Sequence, residues 1–516
     1  MATDSAAPVR VAAIGAAPAK SSIRIIALLI GSITLVCFGY FYQGGGWNPN
    51  SRFDLLRAIL DQHTLRIDAY HENTQDKAVY QGHYYSDKAP GLVLMAVPVA
   101  AALRPLLRVP GLDPQSLDGL VATAYLATVV VVALPTSLAC IALFLIAWKL
   151  GSGLSGAVFA ALAMGLATPV WPWATLLWSH ALSGALLLFG FGCAVMLPDA
   201  ASPRGRALWG LALGLAAGWA TVTEYPAAPA AAILALFGLA QVWRDHRVAP
   251  WQTAAGIALG AAICLSVLLG YQRLAFGSAL RPSYSYYGQG AFPWMQRGYM
   301  GLTYPRIDVA FKLLFGCKRG LILAAPVLGA APFGLRMLAR NPASRSAALA
   351  AGAIAVYFLL FNASFAVWTG SASYGPRYMG ACVPVLCVAL APVWDRAQHR
   401  LRLLLAVLAG CGALFSLMAA ATTPHPGETI SCPLWQLIGP SFFTGQLSLT
   451  TTSVLTPAEE GLTHAHGAFN LGQLAGLRGL ASLGPLLLFL AAATWGLARV
   501  YRASNPPPRA VSSSVG

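Results

Sequence analysis

The sequence predicts an all-helical polytopic membrane protein. Of its 516 residues, 57% are hydrophobic and only 10% are charged, and the mean hydropathy is +0.64. Apolar runs of roughly 20 residues, the length at which an α-helix crosses a bilayer, recur along the chain. Short arginine clusters separate these runs, as is typical of cytoplasmic loops. We therefore attribute the formal net charge of +16 to membrane topology and expect no nucleic-acid partner.

About 12 apolar segments are predicted to cross the membrane. They lie at about 23–42, 119–147, 152–171, 180–197, 207–222, 226–243, 251–271, 320–338, 347–366, 379–394, 402–421 and 481–499. If the first span runs outward, their alternation puts most basic clusters on the inner side and nearly all acids outside. This alternation requires that residues 90–108 do not cross. Because Pro98 and Pro105 interrupt that segment, we interpret it as re-entrant or interfacial.

The ends and loops follow from this topology. Residues 1–22 are expected to be a disordered cytoplasmic N-terminus, and residues 501–516 a disordered cytoplasmic tail. The multi-span core, 23–422, contains a first outer loop at 43–118 and an aromatic outer loop at 272–319. A further outer-face loop is expected at 423–480, before the last span at 481–500. The first apolar run is long enough to remain as a signal anchor.

The first outer loop carries most of the unusual chemistry. Its stretch from Asn48 to Pro90 holds six of the 17 acidic residues, namely Asp54, Asp61, Asp68, Glu72, Asp76 and Asp87. Lys88 directly precedes an apolar segment, so we expect it near headgroup depth, as we do Arg377 and the Lys318-Arg319 pair. A carboxylate there would suit general-base chemistry on an acceptor hydroxyl, and cations would hold a departing phosphate. The alternative is that these cations are interfacial side chains without a ligand.

Several motifs carry a family resemblance. Tyr85-Ser86-Asp87-Lys88-Ala89-Pro90-Gly91, preceded by Asn50-Ser51-Arg52-Phe53 and followed by Trp368 and Tyr374-Gly375-Pro376-Arg377-Tyr378, resembles bacterial C-type integral-membrane glycosyltransferases. More narrowly, the pattern is similar to the branch related to dolichyl-phosphate-mannose protein mannosyltransferases and the lipid A aminoarabinose transferase. The resemblance implies a glycosyltransferase in the bacterial inner membrane, with both termini cytoplasmic. It would move a monosaccharide from a polyprenyl-phosphate donor to an envelope acceptor, whether lipid, glycan or protein, at the outer face.

The main alternative is a transporter or flippase of lipid-linked saccharides, and a third is a scaffold for envelope assembly. Transporters tend to contain internal repeats and charged or broken helices near the bilayer midplane. In this chain the charge is concentrated in the outer loops, and no convincing repeat is visible. The sequence therefore favours the transferase.

The resemblance also implies residue roles. The family's basic residue before a proline matches Lys88, which implies contact with the donor phosphate. The family's acidic pair falls on Pro49 and Asn50, neither of which is a carboxylate. We therefore predict Asp76 first, and Asp68 second, as the catalytic carboxylate. The other predicted phosphate ligands are Arg377 and Arg319, and the predicted substrate-binding residues are Asp87, Arg52, His180, Glu224 and Tyr374.

Two further groups in the outer loops have competing interpretations. Asp54 and Asp61 share one face of a predicted amphipathic helix, which we interpret as a solvated face. The aromatic loop suits stacking on sugar rings and equally suits an interfacial aromatic belt. Its weaker candidates are Tyr284, Tyr286, Tyr287, Trp294 and Tyr299.

Cysteine and histidine usage predicts no resident metal. Seven of the nine cysteines fall in predicted spans, whereas Cys317 and Cys432 lie near the outer face, where a disulfide between them is one option. The chain contains no CxxC or HExxH motif, and we interpret the nearby pair His464 and His466 as loop residues. No cofactor is expected, although loop carboxylates offer ligands for a divalent cation.

Overall fold

The computed structural model describes residues 20–108, 113–243, 250–287, 292–460 and 467–504. The helices in these ranges are α1 (Lys20–Gly39), α2 (Trp47–Gln62), α3 (Gly91–Leu106), α4 (Leu117–Thr128), α5 (Leu134–Lys149), α6 (Leu154–Leu166), α7 (Val170–Ala174), α8 (Ser179–Met196), α9 (Pro203–Thr223), α10 (Ala228–Trp243), α11 (Trp251–Phe276), α12 (Ile307–Phe315), α13 (Leu321–Ala324), α14 (Ala331–Arg340), α15 (Arg345–Ser364), α16 (Val383–Cys387), α17 (Leu390–Arg396), α18 (His399–Ala421), α19 (Gly439–Phe443), α20 (Pro457–Glu460), α21 (Leu471–Leu474) and α22 (Gly484–Ser504). The strands are β1 (Phe41–Tyr42), β2 (Lys77–Tyr80), β3 (His83–Ser86) and β4 (Phe469–Asn470).

The predominance of apolar helices agrees with the predicted class, a polytopic membrane protein built from α-helices. Eight helical segments in the described ranges are long and apolar enough to cross a membrane, or up to nine if one bent pair of helices counts as a single span. The eight are Lys20–Gly39, Leu117–Lys149, Ser179–Asp199, Tyr225–Trp243, Trp251–Phe276, Arg345–Ser364, His399–Ala421 and Gly479–Ser504. The expected number of 12 spans is thus not confirmed.

The remaining predicted spans are helical but irregular. The helix α6 has only 13 residues, and α9 has 21 but begins with Arg204 and Arg206 in its first turn. The predicted span 320–338 is divided between α13, a 3-10 turn and α14. The predicted span 379–394 is the bent pair, with an angle of 45° at the break before Leu390. Proline accounts for both breaks, since Pro326 opens the 3-10 turn, and Pro392 in α17 has no N–H to donate to the carbonyl oxygen of Val388 at the bend.

The proline-interrupted segment forms the helix α3, whose 16 residues include both Pro98 and Pro105. Arg104 near its end forms an ion pair with Asp61 of α2 in the first loop. This contact holds the C-terminal end of α3 against the first loop. The interpretation of α3 as a re-entrant or interfacial helix remains a prediction.

The helices α9 and α11 pack closely along their length. Gly210 and Gly214 of α9 face Gly256 and Gly260 of α11, in the small-xxx-small spacing that brings membrane helices together. A Cβ atom on Gly210 would lie 2.5 Å from the carbonyl oxygen of Thr253. The close packing of α9 and α11 therefore requires glycine at these positions. This packing fixes the position of the C-terminal end of α9.

The loops predicted to lie outside form one connected layer. We call the described residues of 40–91, 277–320 and 422–483 the loop layer. The strand β1 pairs antiparallel with β4, with Phe41 opposite Asn470. Arg57 of α2 forms an ion pair with Glu459 at 2.6 Å. These contacts tie the first loop to the segment 423–480, for which the resemblance predicted no role.

Loops predicted to lie on the inner side also contact one another, at the other end of the helices. Lys149 at the end of α5 pairs with Asp199 after α8. The backbone N–H of Gly153 donates to Asp395 at 2.6 Å, and Arg402 donates to the carbonyl oxygen of Asp395 at 3.1 Å. These contacts connect three of the loops that the predicted alternation puts on the inner side.

The prediction that Asp54 and Asp61 lie on a solvated face of α2 is wrong. Asp54 is fully buried, and one of its oxygens accepts a hydrogen bond from Asn73 at 3.2 Å. Burial raises the pKa of Asp54 well above its ordinary value. Asp61 is engaged by Arg104. The polar face is covered because α3 and the segment 453–459 pack over it, which the periodicity of a single helix does not reveal.

Parts of the predicted ends lie outside the described residues, namely 1–19 and 505–516, as do His464 and His466. The helix α1 already begins at Lys20, and α22 continues to Ser504, so helix extends into both segments that were expected to be disordered.

A disulfide joins Cys317 to Cys432 across the loop layer, as the sequence allowed. We expect Cys432→Ser to lower the free energy of unfolding by about 2–4 kcal/mol, because the bridge closes a long loop of the unfolded chain. Thermal unfolding in detergent, with and without reductant, measures the effect. Cys411→Ser, which changes a free cysteine on α18, is the matched control. Equal melting temperatures for the two variants would contradict the expectation.

Candidate functional site

A cavity of about 1100 Å³ opens between the loop layer and the ends of α10 and α15. Its charged lining residues are Asp76, Lys88, Glu224, Arg377 and Glu428. Aromatic side chains form much of the remaining wall, including Trp47, Trp178, Tyr284, Tyr287, Phe292, Trp294, Phe361, Phe365 and Tyr378. The cavity therefore combines a few charges with a large apolar surface, as is typical of ligand sites.

A β-hairpin brings the first charges together. The strands β2 and β3 pair with Lys77 opposite Ser86, and Gln81 and Gly82 form the turn with positive φ angles of 51° and 78°. In an antiparallel hairpin the residues just outside the last pair are neighbours. Asp76 therefore lies beside the Asp87-Lys88 step. The run of aromatic and β-branched residues around a glycine turn was the sequence signal for this hairpin.

Lys88 is held between two carboxylates. Its Nζ lies 2.9 Å from Oδ2 of Asp76 and 3.0 Å from Oδ2 of Asp87, and the side chain is 10% exposed. Burial alone would lower the pKa of Lys88, but Asp76 and Asp87 outweigh burial and raise it. Asp87 is fully buried and also accepts a hydrogen bond from Tyr287. Lys88 is thus a fixed, permanently charged group at the cavity wall.

Arg377 supplies a second cation. Its guanidinium lies over the rings of Trp178 and Tyr378, each at 5.2 Å from the ring centroid. Its Nε is buried without a hydrogen-bond partner, and within the described ranges the side chain forms no ion pair. Because its charge is not neutralised by a carboxylate, Arg377 is available to an anionic ligand.

Glu224 follows the last residue of α9 and belongs to a hydrogen-bonded chain. Ser179 donates to Oε1 of Glu224, and Nδ1 of His180 lies 3.2 Å from the same oxygen. Behind them, Nη2 of the buried Arg52 donates to the hydroxyl of Ser179 at 2.6 Å. Burial alone would raise the pKa of Glu224, but His180, Arg52 and Ser179 together lower it. Glu224 is therefore a carboxylate that stays ionised.

The segment 423–452 forms a hydroxyl-rich wall of the cavity with Thr423, His425 and Thr450–Thr452. The ring of His425 stacks on Trp178 at 4.6 Å between centroids. Burial and the nearby Arg377 lower the pKa of His425 to about 3, so its imidazole is neutral at ordinary pH. Glu428 lines the cavity too, but its carboxylate is engaged by Lys318, Arg319 and Thr369.

The structure brings four of the predicted site residues to one cavity: Asp76, Lys88, Glu224 and Arg377. Asp68 does not reach it. Its carboxylate accepts hydrogen bonds from Nδ1 of His83 at 2.8 Å and from the backbone N–H of Tyr84 at 2.7 Å. These contacts hold Asp68 at the turn end of the hairpin, whereas Asp76 and Lys88 lie at its open end.

Other predicted ligands lie behind the cavity wall. Arg319 is buried and donates to the carbonyl oxygens of Thr369, Lys318 and Ser371 as well as to Glu428, so it does not face the cavity. Asp87, Arg52 and His180 are likewise buried and contact lining residues, and Tyr374 donates to the carbonyl oxygen of Ala324 at 3.3 Å. None of these five side chains is among the residues that line the cavity, and their predicted binding roles remain predictions.

Local sequence did not identify Trp178, His425 or Glu428 as parts of the same cavity. They lie far from Lys88 in the chain, and the segment 423–470 is held near the first loop by the disulfide, the pairing of β1 with β4 and the ion pair of Arg57 with Glu459. Glu428 did carry a weak signal, as an acid four residues before the bridged Cys432.

The divalent cation considered from the sequence has no obvious ligand set. Over the described residues, no group of three or more His, Cys, Asp and Glu side chains could hold a metal ion.

Gly91 allows Lys88 and Glu224 to approach each other, because the start of α3 touches the end of α9. A Cβ atom on Gly91 would lie 2.7 Å from the backbone nitrogen of Thr223. We expect Gly91→Ala to lower the free energy of unfolding by about 1–3 kcal/mol through overpacking. Gly270→Ala on α11 is the control, since a Cβ there meets nothing within 4 Å. Thermal unfolding of both variants measures the difference. Equal stability would contradict the expectation, because it would show that the backbone around Thr223 accommodates the methyl group without loss of stability.

No protein-family model matches the sequence, and a search of curated proteins finds no match either. Solved structures do resemble it. ArnT from Cupriavidus metallidurans bound to undecaprenyl phosphate aligns with a TM-score of 0.51 at 18% sequence identity, over 83% of this chain and 68% of that one. The apo state of ArnT gives a TM-score of 0.49 at 19% identity, over 82% of this chain and 68% of that one.

A more distant match is the archaeal oligosaccharyltransferase AglB from Archaeoglobus fulgidus, in complex with an inhibitory peptide and a dolichol-phosphate. It aligns with a TM-score of 0.44 at 12% identity, over 79% of this chain and 56% of that one. The alignment with ArnT shows a shared fold. The resemblance to C-type membrane glycosyltransferases that the motifs indicated is thus confirmed at the level of the fold.

Proposed function

We propose that this protein transfers a monosaccharide from a polyprenyl-phosphate-linked donor to a cell-envelope acceptor. The observation that carries the proposal is the meeting of two cations, Lys88 and Arg377, with the carboxylates Asp76 and Glu224 on one large, aromatic cavity. Cations that face a cavity suit a phosphate leaving group, and carboxylates beside them suit an acceptor hydroxyl. Aromatic faces suit both a sugar ring and the start of an isoprenoid chain.

Lys88 and Arg377 would stabilise the phosphate as it departs. Lys88 is held in place by Asp76 and Asp87, so little reorganisation is needed when charge develops on the leaving group. Arg377 is fixed by stacking on Trp178 and Tyr378, and its charge is free of ion pairing within the described ranges. In the proposed site, Lys88 and Arg377 together form a clamp for one phosphate group.

Asp76 would position this clamp and orient the acceptor. Its backbone N–H donates to the hydroxyl of Thr74 at 3.0 Å, and its side chain is 13% exposed at the cavity. Because one of its oxygens contacts Lys88, any group bound beside it also lies close to the phosphate clamp. Of the role predicted for Asp76 from the sequence, the proposal keeps the orientation of the acceptor hydroxyl.

The shared fold supports a lipid-linked donor. ArnT, the structural neighbour with the same fold, is bound to undecaprenyl phosphate in one of its structures. By analogy, we place the cavity at the outer face of a bacterial inner membrane, with both termini in the cytoplasm and membrane lipids around the helices. The envelope acceptor is a lipid, a glycan or a protein.

Lys88→Ala is expected to lower the rate of sugar transfer by about 10²–10³-fold, since it removes one charged donor from the leaving group. The measurement is transfer of labelled sugar from a polyprenyl-phosphate donor in membranes. The variant also leaves Asp87 buried without its partner, which destabilises the fold. The double variant Asp87→Asn/Lys88→Ala removes both charges and should restore folding without restoring transfer. Lys312→Ala, at an exposed lysine paired with Asp308, is the control.

Asp76→Asn keeps the size of the side chain and removes its charge. We expect transfer to fall by about tenfold or more, because Lys88 loses one of its two carboxylates. Wild-type activity in both Asp76→Asn and Lys88→Ala would refute the proposed site. Movement of lipid-linked saccharide across the membrane, without sugar transfer by the wild type, would favour the transporter instead.

A further inference from the structure

We propose that Glu224 is the carboxylate that accepts the proton of the acceptor hydroxyl, and that the buried chain from Arg52 through Ser179 positions it. The inference rests on the proposed function and adds a residue role to it. It assigns the proton transfer to the loop after α9 instead of the first outer loop.

Among the residues that the structure describes, three carboxylates line the cavity, and two of them contact a lysine or an arginine. Asp76 contacts Lys88, while Glu428 contacts both Lys318 and Arg319. A carboxylate in direct contact with a lysine or arginine holds that cation in place, and an acceptor hydroxyl has to compete with the cation for the carboxylate oxygens. Within the described ranges, the side chain of Glu224 directly contacts no lysine or arginine, and its hydrogen-bonding neighbours are Ser179 and His180.

The geometry of Glu224 suits a base that must be held in one orientation. The contacts from Ser179 and His180 both go to Oε1. The other oxygen, Oε2, is therefore the one available to a ligand in the cavity. The backbone is fixed as well, because the N–H of Glu224 donates to the carbonyl oxygen of Ala220 at 2.8 Å and closes the last turn of α9.

The supporting chain reaches back to the first loop. Arg52 is 2% exposed, and its Nη2 donates to the hydroxyl of Ser179 at 2.6 Å, while Nη1 donates to Asn48. The two residues at which the resemblance expected an acidic pair, Pro49 and Asn50, lie beside Asn48 on the same turn of α2. The first loop therefore supplies a buried cation, Arg52, behind Glu224.

The proposed step balances without a further reactant. The acceptor oxygen forms a bond to the anomeric carbon while its proton passes to Oε2 of Glu224. The bond from the anomeric carbon to the phosphate oxygen breaks, and the electron pair leaves with the lipid phosphate. Lys88 and Arg377 stabilise that charge, and Glu224 releases the proton to water after the product departs.

The first experiment compares Glu224→Gln with wild type in the sugar-transfer assay. We expect kcat to fall by about 10²–10⁴-fold, with little change in the KM for the polyprenyl-phosphate donor. Formate added to Glu224→Ala should restore part of the rate, since it supplies a carboxylate to the vacated space. Glu72→Gln, at an exposed acid of the first loop, is the matched control.

The outcomes separate the two proposals. Absence of transfer by the wild type would reject the proposed function itself. Transfer by the wild type, together with an unchanged kcat in Glu224→Gln, would reject only the role of Glu224. A higher donor KM at unchanged kcat would also reject it, because that result indicates a substrate-binding role.

The positioning role of Ser179 has its own readout in the pH dependence of kcat. Ser179 helps to lower the pKa of Glu224, so Ser179→Ala should raise that pKa and move the acid limb of the profile to higher pH. Ser179→Thr, which keeps the hydroxyl, should retain the wild-type profile. A merely structural role would reduce the rate of Ser179→Ala at every pH without moving the limb.

Discussion

The site depends on one buried electrostatic arrangement, the lysine that lies between two carboxylates. Lys88 and Asp87 are almost completely removed from water, and a buried charge is tolerated only when it is paired. Asp76 completes the arrangement from the neighbouring strand of the hairpin. Because the pairing fixes the ammonium group, the hairpin presents a cation of defined position at the cavity wall. The remaining groups of the cavity are arranged around it.

The loop layer explains how a chain with few charged residues builds such a site. The first loop alone provides Asp76 and Lys88, and the loop after α9 provides Glu224. The opposite wall comes from the segment 423–452, which is tied down by the disulfide, the pairing of β1 with β4 and the ion pair of Arg57 with Glu459. The segment 423–452, to which the sequence assigned no role, therefore forms part of the cavity wall.

The carboxylates of the cavity differ in their partners more than in their location. Those of Asp76 and Glu428 contact lysine or arginine, whereas that of Glu224 contacts a hydroxyl and an imidazole. This difference separates groups that position cations from a group that is suited to proton transfer. A neutral His425 beside Arg377 fits the same division, since a charged imidazole there would repel the cation.

The sequence by itself determined the membrane class, the helical fold, the polar loops and the identity of Lys88, Asp76, Arg377 and Glu224 as candidates. Hydropathy and local motifs suffice for these, because they depend on neighbours in the chain. Only the tertiary structure decided which candidates share the cavity. The sequence offered Asp76 first and Asp68 second as the catalytic carboxylate, and the register of the hairpin places these two residues at opposite ends. Arg319 and Arg377 differ because only Arg319 is saturated by carbonyl oxygens and Glu428.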